Sequence, residues 1–106
     1  SGWSVVPTWS GPRVRDVLAL VEGTATHKSV AFHSVSNYGL TWHIDPLMGD
    51  EALLATHVNG APLSENHGFP VRLIVPGYPG QNMVKQLDRI TLREEKEGFD
   101  PDFKIL

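Results

Sequence analysis

The spacing of apolar residues changes period several times along the chain. Between Ser10 and Gly23, Val14, Val17, Leu18 and Val21 recur at i, i+3, i+4 and i+7. That spacing places them on one face of a helix. Pro12 suits the first helical position and Gly23 the stop. Arg13, Arg15, Asp16 and Glu22 lie largely off the stripe and form its solvated side. The period then shortens. "SVAFHSV" (Ser29–Val35) predicts a strand, "SNYG" (Ser36–Gly39) a turn and "LTWHID" (Leu40–Asp45) a second short strand. A helical turn is expected at Asp45–Gly49, then an apolar stretch Leu53–Val58, then a tight turn at Asn59-Gly60.

Further on, "PVRLIVPG" (Pro70–Gly77) predicts a buried strand bounded by turns. "DRITLREE" (Asp88–Glu95) predicts a half-buried strand through Ile90 and Leu92. At the start, "GWSVVPTW" (Gly2–Trp9) is extended, with Pro7 confining it to an edge or a strand end. The tail docks by Phe99, Phe103, Ile105 and Leu106 or frays. Trp3, Trp9 and Trp42 read as core or partner-contact residues. Many short strands and one clear amphipathic helix make an α+β domain with a mixed, short-stranded sheet.

Composition adds limits. The 106 residues fit a single domain, 41% hydrophobic and 20% charged, which is ordinary for a folded protein. A net charge of −3 argues against a general nucleic-acid or membrane-surface binder, though not against a small basic pocket. No apolar run is long enough to cross a bilayer. With no cysteine, the chain holds no disulfide, thiolate metal site or cysteine nucleophile. The start at Ser1-Gly2-Trp3 fits a processed or excised piece, and no targeting signal is legible.

Five histidines (His27, His33, His43, His57, His67) invite a metal site, but none stands at HxxxH or HxH spacing and no metal ligand is assigned. Nucleophile-elbow, P-loop and dinucleotide motifs have no counterpart, and no catalytic residue is assigned. "SENHGFPVRLIVPGYPGQNMVK" is more telling. Arg72 opens an apolar strand, and Lys85 closes the glycine-proline turn after it. A buried guanidinium needs a partner. A structural pairing would use Asp88 or Glu65. A functional one would use an anion, and phosphate suits the planar fork. Gly77 and Gly80 would let backbone N–H groups approach such an anion.

The segment Leu53–Leu92 resembles the molybdopterin-binding oxidoreductase domain of the sulfite oxidase family. The likeness rests on Leu53-Leu54, Asn59-Gly60 with Pro62-Leu63, His67-Gly68-Phe69-Pro70 with Arg72, Val75-Pro76-Gly77, Gly80, and Val84-Lys85 with Leu87, Arg89 and Ile90. "GWSVVPTWSGPRVRDVL" is similar to the tryptophan-glycine stretch and helix upstream. The resemblance implies the C-terminal portion of a sulfite-oxidase-like fold over residues 1–106, carrying molybdopterin, the molybdenum cofactor. It implies that His67 and Arg72 hold the pterin and its phosphate, with Met83, Val84 and Lys85 at the same phosphate.

The implied reaction is oxygen-atom transfer on a small sulfur-containing substrate. The implied partners are a haem or cytochrome electron acceptor and a second copy of the chain, and the implied location is periplasmic. The family's molybdenum-ligating cysteine lies just before a stretch like "GWS", so this chain alone is expected to show no turnover. The alternative is a degenerate or excised module that binds cofactor or a partner chain without catalysis. Ser36 stands where several members carry an aspartate, and Phe103 where sulfite-oxidising members carry a tyrosine.

Overall fold

The computed structural model describes residues 7–21, 28–78 and 83–93. The segment carrying Gly23, the Gly80 turn and the tail with Phe99 and Phe103 lie outside these residues.

A short edge strand, β1 (Trp9–Ser10), opens the described chain and pairs antiparallel with β5 (His57–Val58). The pairing continues well beyond the two named residues. Asn59 N–H donates to Thr8 O at 2.8 Å, Thr56 N–H to Ser10 O at 2.9 Å and Leu54 N–H to Pro12 O at 2.8 Å. Close approach is possible because Gly11 has no side chain. A Cβ there would lie 2.1 Å from the Leu54 carbonyl oxygen.

This pairing also explains a shorter helix than the apolar stripe predicts. The backbone stays committed to its neighbour through Arg13, which bridges to Leu53. Helix α1 therefore begins only at Val14 and ends at Leu18. Pro12 precedes the cap rather than opening the helix. Val14 and Leu18 are buried, whereas Val21 is exposed past the last turn. Arg15 is tied by an ion pair to Asp50.

Strands β2 (Ser29–Ser34) and β3 (Gly39–His43) form the expected hairpin. Its turn closes through Ser34 N–H on Tyr38 O at 2.7 Å, with Asn37 at φ 67°. On its other side β2 pairs with β8 (Leu87–Arg93). Flanked on both edges, β2 is buried on both faces from Ser29 to Phe32, where alternation alone suggests one wet face. The small residues Ser29 and Ala31 make that double burial possible. β8, an edge strand in this sheet, keeps its half-buried alternation at Ile90 and Leu92.

A 3-10 turn, Asp45–Met48, follows β3 and buries Leu47. The expected apolar stretch then splits into β4 (Leu53–Ala55) and β5. Asn59 and Gly60, both at positive φ, turn the chain into β6 (Ala61–Pro62). Strand β7 (Arg72–Ile74) pairs antiparallel with β4, placing Arg72 opposite Ala55. The segment before β8 runs along the free edge of β7. Leu73 N–H donates to Val84 O and Leu87 N–H to Val71 O, each at 2.9 Å.

Val14, Leu18, Phe32, Trp42, Leu73 and Val84 anchor one continuous core. Trp42 meets Tyr78 edge to face at 5.2 Å. No helix among the described residues is long and apolar enough to cross a membrane.

Candidate functional site

The cations at the two ends of the apolar strand converge on a single turn. Residues Glu65–His67 form one 3-10 turn, stopped by Gly68 in a left-handed conformation at φ 111°. The Ser64 carbonyl collects three N–H donors, from His67, Gly68 and Phe69, at 2.9–3.0 Å. This locks the turn. The Phe69–Pro70 peptide that follows is cis.

Arg72 extends from β7 toward the turn and donates from Nη1 to His67 O at 3.4 Å. Lys85 arrives from the neighbouring segment and donates from Nζ to Asn66 O at 3.0 Å. Two cationic heads thus bind the carbonyls of consecutive residues. They flank Gly68, where a Cβ would sit 2.9 Å from Arg72 Cβ and 3.3 Å from Lys85 Cβ. The glycine is what lets the two side chains close over the turn. Its own carbonyl accepts Gln86 N–H at 3.1 Å, which fixes the Lys85 segment against the turn. His67 lies on the same turn, exposed, with Nδ1 2.7 Å from Ser64 Oγ.

Of the five residues singled out in the sequence, His67, Arg72 and Lys85 meet here. Met83 and Val84 are placed differently. Val84 is buried in the core, and the Met83 sulfur accepts Val75 N–H at 3.5 Å. Their side chains serve packing, so contact from them with a ligand would run through the backbone.

Neither Asp88 nor Glu65 pairs with Arg72. Among the described residues the ion pairs found are those of Arg15 with Asp16 and Asp50. The Arg72 guanidinium instead lies over the Trp9 ring, 4.8 Å from its centroid. Its Nε is buried and has no acceptor. Burial pulls its pKa below the ordinary arginine value, because desolvation disfavours the charged form.

The sequence reading missed Trp9 as a member of this site. An aromatic residue in an apolar stretch reads as core, and its partner lies far away in sequence. His27 lies outside the described residues, and among the described residues no group of three His, Asp or Glu side chains is placed to hold a metal ion. A shallow cavity of about 370 Å³, lined by Asp50, Glu51, Pro76 and Tyr78 among others, shares no residue with the cationic cluster.

The Arg72 and Lys85 side chains offer only donors and positive charge. A group rich in acceptors and doubly negative is their chemical complement, and a phosphate monoester meets both requirements. The unspent donor of Arg72 and the closed approach at Gly68 fit the phosphate end of a pterin cofactor.

The sequence matches the family described as oxidoreductase molybdopterin binding domain over residues 1–99. Mitochondrial sulfite oxidase of Homo sapiens is 38% identical over 113 aligned residues, covering 88% of this chain and 21% of that protein. The NAD(P)H nitrate reductase of Hordeum vulgare is 39% identical over 106 residues, covering 86% of this chain and 12% of that protein. The sulfane dehydrogenase SoxCD of Paracoccus pantotrophus has a similar solved structure, with a TM-score of 0.71 and 28% identity, over 78% of this chain and 22% of that one. The chain thus spans less than a quarter of each.

Proposed function

Because this chain belongs to the oxidoreductase molybdopterin-binding domain family, we propose that His67, Arg72 and Lys85 hold the phosphate end of its molybdenum cofactor. The fold is the sulfite-oxidase-like molybdopterin-binding fold, and the family's cofactor is molybdopterin. The observation carrying the residue assignment is the paired docking of Arg72 and Lys85 on adjacent carbonyls around Gly68.

In this reading the chain's own residues bind and orient. Arg72 supplies a planar pair of donors, Lys85 an ammonium docked on Asn66 O and His67 an imidazole steadied by Ser64. Backbone at Met83–Lys85 closes the same side. The group, when bound, supplies two-electron oxygen-atom transfer at molybdenum. The 106 residues contain no cysteine, so a thiolate ligand of the metal would come from outside them. The role assigned to these residues is therefore retention of the cofactor rather than turnover.

The substrate we favour for the intact protein is a small sulfur compound, such as sulfite or a sulfoxide. Two of the three relatives above are named for sulfur substrates. The equally similar nitrate reductase makes nitrate the comparison to run.

The test uses the full-length protein and measures molybdenum and pterin retained after dialysis. Arg72→Ala and Lys85→Ala each remove a charge-assisted contact worth about 1.5–3 kcal/mol, which corresponds to roughly 10- to 150-fold weaker retention. The melting temperature of the cofactor-free protein should move little. Equal losses of stability with and without cofactor would refute the assignment. Turnover with nitrate and none with sulfite or sulfoxide would overturn the substrate.

A further inference from the structure

We infer that Trp9 is a positioning residue whose indole face fixes the plane of the Arg72 guanidinium, so that its edge donors meet the cofactor's anionic end. The inference rests on the reading of Arg72 as an anion-holding group.

Hydrogen bonding alone holds Arg72 poorly. Its Nη1 bond to His67 O is long at 3.4 Å, and Nε has no acceptor. The firmest remaining contact on the head is the indole, 4.8 Å away. A guanidinium lying on a ring keeps its N–H groups pointing outward along its own plane, which is the geometry bidentate oxyanion binding uses.

The ring is itself well mounted. Thr8 N–H donates to Asn59 Oδ1 at 2.9 Å, Asn59 N–H returns to Thr8 O, and Thr56 N–H donates to Ser10 O. These bonds fasten the backbone on both sides of Trp9. β4 lies between β1 and β7, and the residue opposite Arg72 on β4 is Ala55, whose methyl group leaves room for the arginine side chain to lean toward β1. Trp42 makes the contrast. Fully buried against Tyr78, it serves the core.

The experiment is a double-mutant cycle in the full-length protein: Trp9→Leu, Arg72→Ala and both together. Trp9→Phe is the conservative rescue and Trp9→Met a second non-aromatic variant. The readouts are the rate of pterin release and the melting temperature of the cofactor-free protein. Trp9→Leu should speed release by roughly 2- to 30-fold, the span of measured cation–π effects. Trp9→Phe should recover most of that loss. In the Arg72→Ala background, Trp9→Leu should change release less than about twofold.

An equal effect of Trp9→Leu in both backgrounds, or none beside Arg72, overturns the inference while leaving the Arg72 assignment standing. A harmless Arg72→Ala overturns both. Should Trp9→Leu and Trp9→Met melt below the assay temperature while Trp9→Phe does not, the ring is a structural support and the inference is overturned.

Discussion

Gly68→Ala is the sharpest perturbation of the site, and Gly60→Ala is its control. Both glycines have positive φ, 111° and 82°. An added Cβ is therefore strained at either, by about 1–2 kcal/mol. They differ in surroundings. At Gly60 a Cβ meets nothing within 4 Å, whereas at Gly68 it would stand 2.9 Å from Arg72 Cβ, 3.3 Å from Arg72 Cδ and 3.3 Å from Lys85 Cβ. The first of these atoms is tied to the β7 backbone and has little freedom to retreat. Overpacking of this kind costs about 1–3 kcal/mol more. Gly68→Ala should therefore lose about 2–5 kcal/mol and Gly60→Ala about 1–2 kcal/mol. For a domain this small, the excess corresponds to a melting temperature roughly 4–20 °C lower in Gly68→Ala than in Gly60→Ala. Thermal and urea unfolding of the cofactor-free proteins give both numbers, and pterin retention gives a third. Because Arg72 and Lys85 are pushed apart together, retention should fall in Gly68→Ala and stay unchanged in Gly60→Ala. Equal stability losses, or full retention in Gly68→Ala, would show that the two cations do not depend on the glycine.

Arg72→Met should leave the cofactor-free protein as stable as before or more so, while weakening retention about as much as Arg72→Ala does. The folded-state pKa of Arg72 is lowered, so the unfolded chain holds the proton more tightly and the charge opposes folding throughout the neutral range. Removing an orphaned donor regains about 1–3 kcal/mol, against about 0.5–2 kcal/mol of lost ring contact. A large fall in melting temperature would contradict this. Phe32→Ala, at a fully buried position in the central strand, should cost about 3–5 kcal/mol by urea unfolding without selectively loosening the cofactor. Asp50→Asn should cost under about 1 kcal/mol, since its pairing with Arg15 is partly exposed, and the loss should shrink in high salt.

The legible parts of the sequence were those where periodicity and local turn chemistry agree. The hairpin around Ser34–Tyr38, the Asn59-Gly60 turn and the half-buried β8 follow from residues close together in the chain. Features set by distant partners were illegible. Helix α1 loses its first turn because Pro12 and Arg13 are engaged by Leu54 and Leu53, some forty residues on. β6 is two residues long and contains a proline, which carries no strand signal of its own. Cations flanking an apolar strand marked Arg72 and Lys85, which the fold brings to one turn. Nothing local distinguishes a tryptophan that supports a guanidinium from one that fills a core, so Trp9 emerged only when β1 was seen in place. Likewise, a family motif marks Met83 and Val84 by position, while the fold buries Val84 and packs the half-buried Met83 against the core.

The choice of partner for the two cations carries its own physical logic. Carboxylates could have held them, as Asp50 holds Arg15 elsewhere in this molecule. A carboxylate about 4 Å away at an effective dielectric near 20 attracts a cation by about 4 kcal/mol. An incoming phosphate would have to displace that interaction or endure its repulsion. Carbonyl oxygens bring only partial charge. That of Asn66 fixes where the ammonium sits, and that of His67 contacts the guanidinium over Trp9, yet both leave the formal charge unneutralised. The buried, unspent Nε of Arg72 belongs to the same arrangement: a donor with no acceptor from the protein keeps the guanidinium short of partners. In a chain of net charge −3, a locally positive turn maintained this way is suited to an anion that must be held tightly, and it is poorly explained as a device for stability alone.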